Sequence, residues 1–425
     1  MRAPATRREL LKAAGAVGAL AALPIARAAA GEEIRVGLIG CGGRGTGAAS
    51  QALAADPGVR LVAMADAFED RISESLAALK AEPAVASRVE VGPAGRFVGF
   101  DAYRELIASD VDVVLLCTPP HFRPIHLRAA VEAGKHVFAE KPAAVDAPGV
   151  RSVLASCALA KEKKLSVVSG LCLRFDDGFR ETLKRLHDGA VGEVVALLAN
   201  DLRGGRWTKP KQPGWSEMTY QMRNWYNFTW LSGDFNVEQH VHFLDVCTWV
   251  MNGQYPVKAV GMGGRQVLRG EEYGQIYDHF AVTYEYADGV RLVSTCRQQP
   301  GCKNDLGVTV LGTGGRAELS ERRKGLRIRG KNGDWSFDGR KNDMYQAEHD
   351  ALFASIREGT PINHGDYLAG STLLAILGRM AAYTGQEVTW EMARDSKEDL
   401  SPSGYSWDAA PPASREAMPG QTPFV

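Results

Sequence analysis

The sequence predicts an α/β protein in which a parallel, doubly wound sheet is followed by an α+β domain with an open, mainly antiparallel sheet. Apolar strand-like segments at 34–40, 59–66 and 111–118 alternate with helix-like segments, and the third is a continuous apolar run. Such runs are typical of parallel strands that are buried on both faces. In the second half the strand-like segments follow one another across hairpin turns, for example at 287–289, which favours antiparallel pairing.

The composition excludes several classes of protein. The chain of 425 residues is 45% hydrophobic and 24% charged, which predicts a globular protein of two domains. Lysine plus arginine and aspartate plus glutamate both number 50, so no excess of positive charge favours nucleic acid as a partner. The seven cysteines include no C-x-x-C pair, so we expect neither a disulfide framework nor a cysteine metal site.

The first thirty residues are typical of an export signal. Arg7-Arg8 precedes an apolar run at 13–26, and small residues follow at 28–30. This is the order of a twin-arginine signal peptide, with cleavage after Ala30. The run is shorter than the ~20 residues that a membrane-spanning helix needs. We therefore predict an exported, periplasmic protein without an integral membrane span.

A glycine-rich turn follows the first predicted strand. Its G-x-G-x-x-G pattern allows a tight turn, close approach of the backbone to a pyrophosphate, and close packing of strand and helix. The second predicted strand ends at Asp66, at the spacing expected for an acid that binds a ribose hydroxyl. Since this carboxylate would repel a 2′-phosphate, the predicted cofactor is NAD rather than NADP. The predicted cofactor-binding residues of this Rossmann half are Gly40, Gly42, Gly43, Arg44, Gly45 and Asp66.

The carboxyl ends of two further predicted strands extend the same site. Open parallel sheets bind ligands outside the carboxyl ends of their strands. Here the chain forms a Thr-Pro-Pro loop at 118–120 and then an EKP motif at 140–142. These loops add to the predicted cofactor site Thr118, Pro119, His121, Glu140 and Lys141. The predicted division of the chain is a signal peptide at 1–30, a Rossmann domain at 31–165, an α+β domain at 166–400 and an irregular tail at 401–425.

The order of these motifs along the chain identifies a protein family more specifically than any single motif does. The turn GCGGRG, Asp66, the Thr-Pro-Pro loop, the EKP motif at 140–142 and GLCLRF at 170–175 together resemble the Gfo/Idh/MocA oxidoreductase family. The resemblance extends from residue 34 to about residue 390. It implies that the first domain binds NAD(P) and that the second presents its sheet to the nicotinamide. It also implies a sugar, inositol or related polyol as substrate, and a homo-oligomer.

The resemblance further implies three catalytic groups. The family's catalytic lysine stands in the EKP motif, which is Lys141 here, and its Asp-x-x-x-His pair aligns with Glu238 and His242, so that glutamate replaces aspartate. A spacing of four places both residues on one helical face. We expect His242, with a pKa near the working pH, to take the hydroxyl proton during hydride transfer. We expect Lys141 to share that proton or polarise the carbonyl, and Glu238 to orient His242.

Other interpretations of these residues stay open. On a strand, Glu238, His240 and His242 would share one face and form a metal site, although the apolar pattern that follows favours a helix. The aromatic and polar residues at 221–234 suit a sugar, because rings pack on C–H faces and donors bind hydroxyls. They equally suit a hydrophobic cluster or a subunit contact. The predicted substrate-binding residues are Arg174, Arg223, Trp225, Tyr226 and His242, and no metal is predicted.

Export and NAD binding together favour a cofactor that stays bound, because free NAD is scarce outside the cytoplasm. We therefore predict an oxidoreductase with tightly bound NAD(H) that transfers hydride at a hydroxyl of a sugar or sugar derivative. Reduction of a second sugar is one way to regenerate the cofactor, and the sequence does not decide between this and the alternative that follows. The alternative is an NAD-dependent glycoside hydrolase that works by oxidation, elimination, hydration and reduction. A lesser alternative is a non-catalytic sugar- or NAD-binding protein.

Overall fold

The computed structural model describes residues 32–321, 325–331, 333–413 and 415–425. The predicted signal peptide at 1–30 lies outside the described residues. In the described part of the chain, none of the helices combines the length and the apolar character that crossing a bilayer requires.

The first sheet lies in the N-terminal part of the chain. Its strands are β1 (Ile34–Ile39), β2 (Val59–Asp66), β3 (Arg96–Val98), β4 (Val113–Leu116), β5 (His136–Ala139) and β6 (Val167–Ser169). They are parallel, in the order β3-β2-β1-β4-β5-β6. The helices between them are α1 (Gly43–Ala55), α2 (Glu69–Ala81), α3 (Ala102–Ala108), α4 (Arg123–Glu132) and α5 (Ala147–Glu162). The predicted doubly wound sheet is confirmed, and its order reverses between β1 and β4, where such sheets open a crevice.

The second sheet has nine strands. They are β7 (Val194–Arg203), β8 (Lys258–Gly264), β9 (His279–Glu285), β10 (Arg291–Gln298), β11 (Asp305–Gly312), β12 (Gly315–Leu319), β13 (Arg327–Gly330), β14 (Gly333–Ser336) and β15 (Val388–Thr389). Their order is β14-β13-β12-β11-β7-β10-β9-β8-β15. β7 and β10 run parallel, while the other neighbours are antiparallel. This confirms the predicted open, mainly antiparallel sheet.

The remaining helices cover one face of the second sheet and connect it to the first domain. They are α6 (Asp177–His187), α7 (Glu217–Arg223), α8 (Thr229–Ser232), α9 (Phe235–Glu238), α10 (Val241–Val250), α11 (Met344–Glu358), α12 (Gly365–Thr384) and α13 (Trp390–Asp395). The long helix α12 is almost entirely buried, since it packs on β8 and β9 and also on α5. The backbone N–H of Val167 in β6 donates to Ile362 at 2.8 Å. The two domains are therefore joined at the edge of the first sheet.

The tail after residue 400 crosses both domains. Its described residues, 401–413 and 415–425, form neither helix nor strand. The hydroxyl of Tyr405 lies 2.8 Å from Nε2 of His121 in the first domain. Further along, the hydroxyl of Tyr277 in the second domain donates to the carbonyl of Ala417 at 3.0 Å. The tail thus contacts the first domain and then returns to the second.

Buried histidines make the fold sensitive to acid. Burial lowers the pKa of His126 and His240 to about 3 and that of His136 to about 4. Because these values lie below the unfolded value of ~6.5, the unfolded chain binds more protons as the pH falls below ~6.5, and stability is lost there. Burial also lowers the pKa of His121 and His364 to about 4 and those of His242 and His349 well below their usual value. Burial raises the pKa of Asp201 and Asp234 to about 6, which stabilises the fold over the same pH interval, but fewer carboxyl groups than histidines are shifted in this way.

We therefore expect the free energy of unfolding to fall between pH 7 and pH 5. Urea denaturation at a series of pH values measures this quantity. A protein that gains stability over this interval would contradict the buried, neutral state of these histidines.

Candidate active site

A cavity of about 400 Å³ opens at the crevice between β1 and β4. One wall is the glycine turn with the ends of β2 and β4, and the facing wall comes from the second domain at 207–225. Of the residues predicted from the sequence, the cavity is lined by Gly40, Gly42, Gly43, Arg44, Gly45, Asp66, Thr118, Pro119, Arg223 and Trp225.

The glycine turn leaves space where a phosphate would lie. Gly40 has a φ of +95°, and a Cβ on Gly45 would lie 1.9 Å from the carbonyl oxygen of Gly40. Strand and helix therefore pack too closely for a larger residue at either position. By contrast, a Cβ on Gly42 or Gly43 would meet nothing within 4 Å. Helix α1 begins there without a side-chain cap, and its free N–H groups fit the pyrophosphate of a dinucleotide.

Asp66 stands at the end of β2 on the cavity wall. Its carboxylate accepts hydrogen bonds from the backbone N–H groups of Cys41 at 2.7 Å and Phe68 at 3.0 Å. Burial raises the pKa of this carboxyl group. An ionised carboxylate has further acceptor sites, so the arrangement suits ribose hydroxyls and disfavours a 2′-phosphate.

Arg44 lines the cavity, but protein carboxylates hold its guanidinium group. It pairs with Glu140 after β5 and, at 2.6 Å, with the buried Glu348 on α11. Glu140 also accepts a hydrogen bond from the backbone N–H of Lys141 at 3.1 Å. Arg44 and Glu140 therefore tie the glycine turn to the Lys141 loop. Glu140 does not line the cavity, and its predicted contact with the cofactor is replaced by this positioning role.

The residues of the loop after β4 lie in two different surroundings, the cavity wall and the contact with the tail. Thr118 and Pro119 line the cavity. His121 instead bonds to Tyr405 of the tail, and its ring meets Trp230 edge-on at 5.1 Å. Burial lowers the pKa of His121 to about 4. The predicted contact between His121 and the cofactor is therefore corrected to a contact with the tail.

Lys141 and Glu238 form an ion pair beside the end of β4. Leu116 of β4 pairs with Ala139 of β5, so Lys141 follows the end of β5 next to the Thr118 loop. The ammonium group of Lys141 donates to the backbone carbonyl of Glu238 at 2.8 Å and to its Oε1 at 3.1 Å. The two side chains are only 13% and 10% exposed. An ammonium and a carboxylate held in contact in this way are suited to proton transfer at a bound hydroxyl.

The expected common helical face of Glu238 and His242 is wrong. Helix α9 ends at Glu238, and α10 begins only at Val241. The carbonyl of Phe235 accepts hydrogen bonds from both Gln239, at 3.0 Å, and His240, at 3.1 Å. This wide turn interrupts the helix, so Glu238 reaches Lys141 rather than orienting His242. The metal interpretation required a strand here and is also wrong.

The expected pKa of His242 near the working pH is not what the structure shows. Burial, followed by the charges of Lys141 and Arg203, lowers the pKa of His242 well below its usual value. The ring is therefore neutral at neutral pH. A neutral imidazole has one nitrogen free to accept a proton, so His242 keeps the capacity expected of a base.

A second polar group beside this pair joins Asp201, which the sequence suggests as a further residue of the cleft, to Arg203 and Ser294, which sequence reasoning missed. Asp201 on β7 is fully buried and pairs with Arg203 two residues later. Nδ1 of His240 lies 3.9 Å from Oδ2 of Asp201, and its Nε2 lies 2.7 Å from the hydroxyl of Ser294. The charges of Lys141 and Glu238 both act on the pKa of Asp201. The alternation of Asp201 and Arg203 at the end of a strand was the available signal, since residues two apart share a face.

Several buried polar atoms in this region have no hydrogen-bond partner among the described residues. They are Asp201 Oδ2, Glu238 Oε2, His240 Nδ1, His242 Nδ1 and Gln298 Oε1. A buried polar atom left unpaired costs about 1–3 kcal/mol. The carboxylate and amide oxygens among them only accept hydrogen bonds at neutral pH. Hydroxyl donors would satisfy these acceptors, although none of the five residues lines the cavity.

The predicted substrate residues fall in different places. The hydroxyl of the buried Tyr226 accepts a hydrogen bond from Gln298 at 2.9 Å, and the charges of Glu238 and Asp201 help burial to raise its pKa. Tyr226 thus lies beside the ion pair, while Trp225 lines the cavity. The aromatic segment also forms a hydrophobic cluster, which confirms that interpretation, while sugar binding by this segment stays a prediction.

The two predicted substrate arginines do not join the Lys141–Glu238 pair. Arg174 is held by Asp245 at 2.9 Å and lies over the ring of Tyr367 at 4.0 Å, and it does not line the cavity. Arg223 lies near Asp66, where it pairs with Asp70 at 2.7 Å. Their predicted roles are therefore corrected: Arg174 supports the fold, and Arg223 belongs to the cofactor end of the cavity.

A Rossmann sheet with its glycine turn is joined here to a second, open sheet, and a lysine of the first domain pairs with a glutamate from a helix of the second. This arrangement defines a two-domain dinucleotide-binding protein. The family model described as "Oxidoreductase family, NAD-binding Rossmann fold" matches residues 34–170, and "Oxidoreductase family, C-terminal alpha/beta domain" matches residues 184–374. The chain belongs to the Gfo/Idh/MocA oxidoreductase family.

Three individual proteins of known name each share about a quarter of their aligned residues or fewer with this chain. An inositol 2-dehydrogenase of Rhizobium meliloti is 25% identical over 77% of this chain and 90% of its own length. The 2,7-anhydro-N-acetylneuraminate hydratase of Escherichia coli is 27% identical over 42% of this chain and 44% of that protein. The structure of scyllo-inositol dehydrogenase from Lactobacillus casei with NAD(H) and scyllo-inositol superposes with a TM-score of 0.63 over 85% of this chain and 100% of that one, at 18% identity. This last likeness establishes the fold.

Proposed function

We propose that this protein is an NAD-dependent oxidoreductase that transfers a hydride at a secondary hydroxyl of a neutral, sugar-like polyol. The observation that carries the proposal is the buried ion pair of Lys141 and Glu238, which follows the end of β5, the neighbour of β4. Neither residue is among those that line the cavity. The pair lies where the strands of the Rossmann sheet end, which is where such sheets place their ligands. The relative named an inositol 2-dehydrogenase supports the same substrate class.

We assign a separate step of the reaction to each of His242, Lys141 and Glu238. When bound, NAD supplies a nicotinamide that accepts a hydride from the carbinol carbon. The neutral ring of His242 takes the proton of the reacting hydroxyl. Lys141 donates a hydrogen bond to the developing carbonyl oxygen, and Glu238 holds the Lys141 ammonium group in place. The paired charges leave the site near neutral, which favours an uncharged polyol over a sugar acid.

Single-turnover reduction of bound NAD tests this proposal. We would add inositols and aldoses, each with deuterium on its ring carbinol carbons, to the NAD-loaded protein and follow the reduced nicotinamide. At least one polyol should reduce the cofactor and transfer its deuterium to it. A protein that binds NAD but is reduced by none of them would overturn the proposal and support a non-catalytic binding role.

A redox-neutral lyase or hydrolase is the second candidate function. The relative named a 2,7-anhydro-N-acetylneuraminate hydratase supports it, since transient oxidation of a ring hydroxyl acidifies the neighbouring C–H and permits elimination. Incubation of glycosides in deuterated water separates the two candidates. Deuterium at the carbon beside the oxidised one indicates elimination. Its absence, together with reduction of a second sugar, indicates oxidoreduction between sugars.

We also propose export through the twin-arginine signal at 1–30. Changing Arg7 and Arg8 together to lysine should retain the protein in the cytoplasm of a bacterium that has this route. Cell fractionation with immunodetection measures the distribution. Periplasmic protein at the unchanged level would contradict the proposal.

We infer a homo-oligomer formed through the open face of the second sheet. Aligned registers place Leu198, Val293, Thr283 and Val260 side by side on four adjacent strands. Val260 is 48% exposed, Val293 is 39% exposed and Met262, one pair further on, is 70% exposed. An exposed apolar face of this kind marks an interaction surface.

Val293→Asp should therefore dissociate the oligomer, because it places a charge at the centre of this face. Light scattering after size-exclusion chromatography measures the mass. Val98→Asp is the matched control, since Val98 is 49% exposed on a different sheet. A wild-type protein that is already monomeric would contradict the inference.

A further inference from the structure

A hydrophobic cluster separate from the main core stands at the entrance of the cavity, and we call it the mouth cluster. Its buried members are Phe122, Met218, Tyr220, Met222, Phe228, Trp230 and Leu231. Three parts of the chain add half-buried residues: Phe68 and Phe100 from the first domain, Trp215 and Trp225 from the second, and Leu400, Trp407 and Ala409 from the tail. Such a cluster holds these three parts together independently of the main core.

Trp407 is the point at which the tail meets the cavity wall. Its ring lies 5.0 Å from that of Phe68 and 4.6 Å from that of Phe100. Both phenylalanines line the cavity at its Asp66 end. The guanidinium group of Arg223 also stacks on the ring of Phe68, at 3.9 Å from its centroid. The wall beside Asp66 is therefore built from both domains and the tail.

Asp66, Phe68 and Phe100 line the same part of the cavity. If Asp66 binds the adenosine ribose of a dinucleotide, Phe68 and Phe100 would be the residues beside the attached adenine. Aromatic faces and a guanidinium plane are surfaces on which a nucleobase stacks. Trp407 fixes two of these surfaces from behind.

The tail is attached on both sides of Trp407. Before it, the backbone N–H of Leu400 donates to Asp146 at 3.0 Å, and Tyr405 bonds to His121. After it, Ala417 accepts a hydrogen bond from Tyr277 in the second domain. A segment anchored on both domains keeps the wall in place, and release of the adenosine half requires the wall to open.

We propose that the tail segment 400–409, through Trp407, is part of the adenosine-binding site and slows the release of NAD(H). The proposal rests on the NAD binding described under the proposed function. It assigns to the tail the retention that an exported NAD enzyme needs. Trp407 acts as a positioning residue for Phe68 and Phe100.

The dissociation rate of the cofactor tests this assignment. The protein is loaded with NADH, whose fluorescence is followed, and chased with excess NAD. Trp407→Ala should release NADH at least ten-fold faster than wild type, and Trp407→Phe should restore most of the slow release. Phe424→Ala is the matched control, because Phe424 belongs to the same tail but packs on the main core; its rate should equal that of wild type.

Nicotinamide mononucleotide, which lacks the adenosine half, separates a local effect from a damaged fold. Trp407→Ala should leave its affinity unchanged while weakening that of NAD. Equal loss of both ligands, or an NADH release rate unchanged by Trp407→Ala, would overturn the assignment. A wild-type protein that binds no NAD would instead overturn the proposed function.

Discussion

Replacing Lys141 by methionine should lower the rate of hydride transfer by about a thousand-fold while leaving NAD bound, a loss within the range for removal of an acid–base group. Methionine has a similar length but no ammonium group to donate to a developing carbonyl oxygen. It also removes the partner of Glu238, whose contact with Lys141 is buried. Single-turnover reduction of bound NAD by the best polyol measures the rate.

Lys161→Met is the control for this prediction. Lys161 lies on α5 of the same domain, and its exposed side chain pairs with Asp366. We expect its hydride transfer to match wild type. If Lys141→Met retained more than a tenth of the wild-type rate, Lys141 would not be the group that carries the chemistry, and the site would have to be placed elsewhere.

Replacing His242 by glutamine should lower hydride transfer by about a hundred-fold or more. Glutamine keeps hydrogen-bonding capacity at similar size, but it cannot take a proton. Burial and the charge of Lys141 hold the pKa of His242 well below its usual range. The wild-type rate should therefore stay constant from pH 8 down to about pH 6.5 and fall only in more acidic solution.

The exposed His187, which bonds to the carbonyl of Trp249, provides the matched control as His187→Gln, and its rate should be unchanged. A hydride-transfer rate that falls with a midpoint at or above the ordinary histidine pKa would contradict the buried, neutral state of His242. Equal rates for wild type and His242→Gln would assign proton removal to another group.

Local patterns in the sequence were sufficient to predict the first sheet and its glycine turn. The turn at 40–45 depends on steric limits within a few residues, and Gly40 and Gly45 show those limits directly. The alternation of strands and helices likewise depends on local hydrophobic pattern. The same reasoning placed Asp66, Thr118 and Pro119 on one cavity, because the carboxyl ends of neighbouring parallel strands meet at one edge.

Contacts between distant parts of the chain were not predictable in the same way. The i,i+4 rule assumed a continuous helix, but the carbonyl of Phe235 binds two successive N–H groups and breaks it. Glu238 then meets Lys141, which lies 97 residues away. The partners of Arg174 and Arg44 also come from other elements. Spacing along the chain carries no signal for such pairs, and the course of the tail over the cavity depends on the packed surfaces of both domains.

The nicotinamide nucleotide content of the purified protein tests the central claim most directly. After unfolding, the released NAD and NADH are measured per chain. We predict close to one nucleotide per chain, because the open glycine turn, Asp66 and the aromatic wall that Trp407 supports together favour a retained dinucleotide. A chain that releases none, and takes up none after incubation with NAD, would contradict the claim that this cavity is a nicotinamide site.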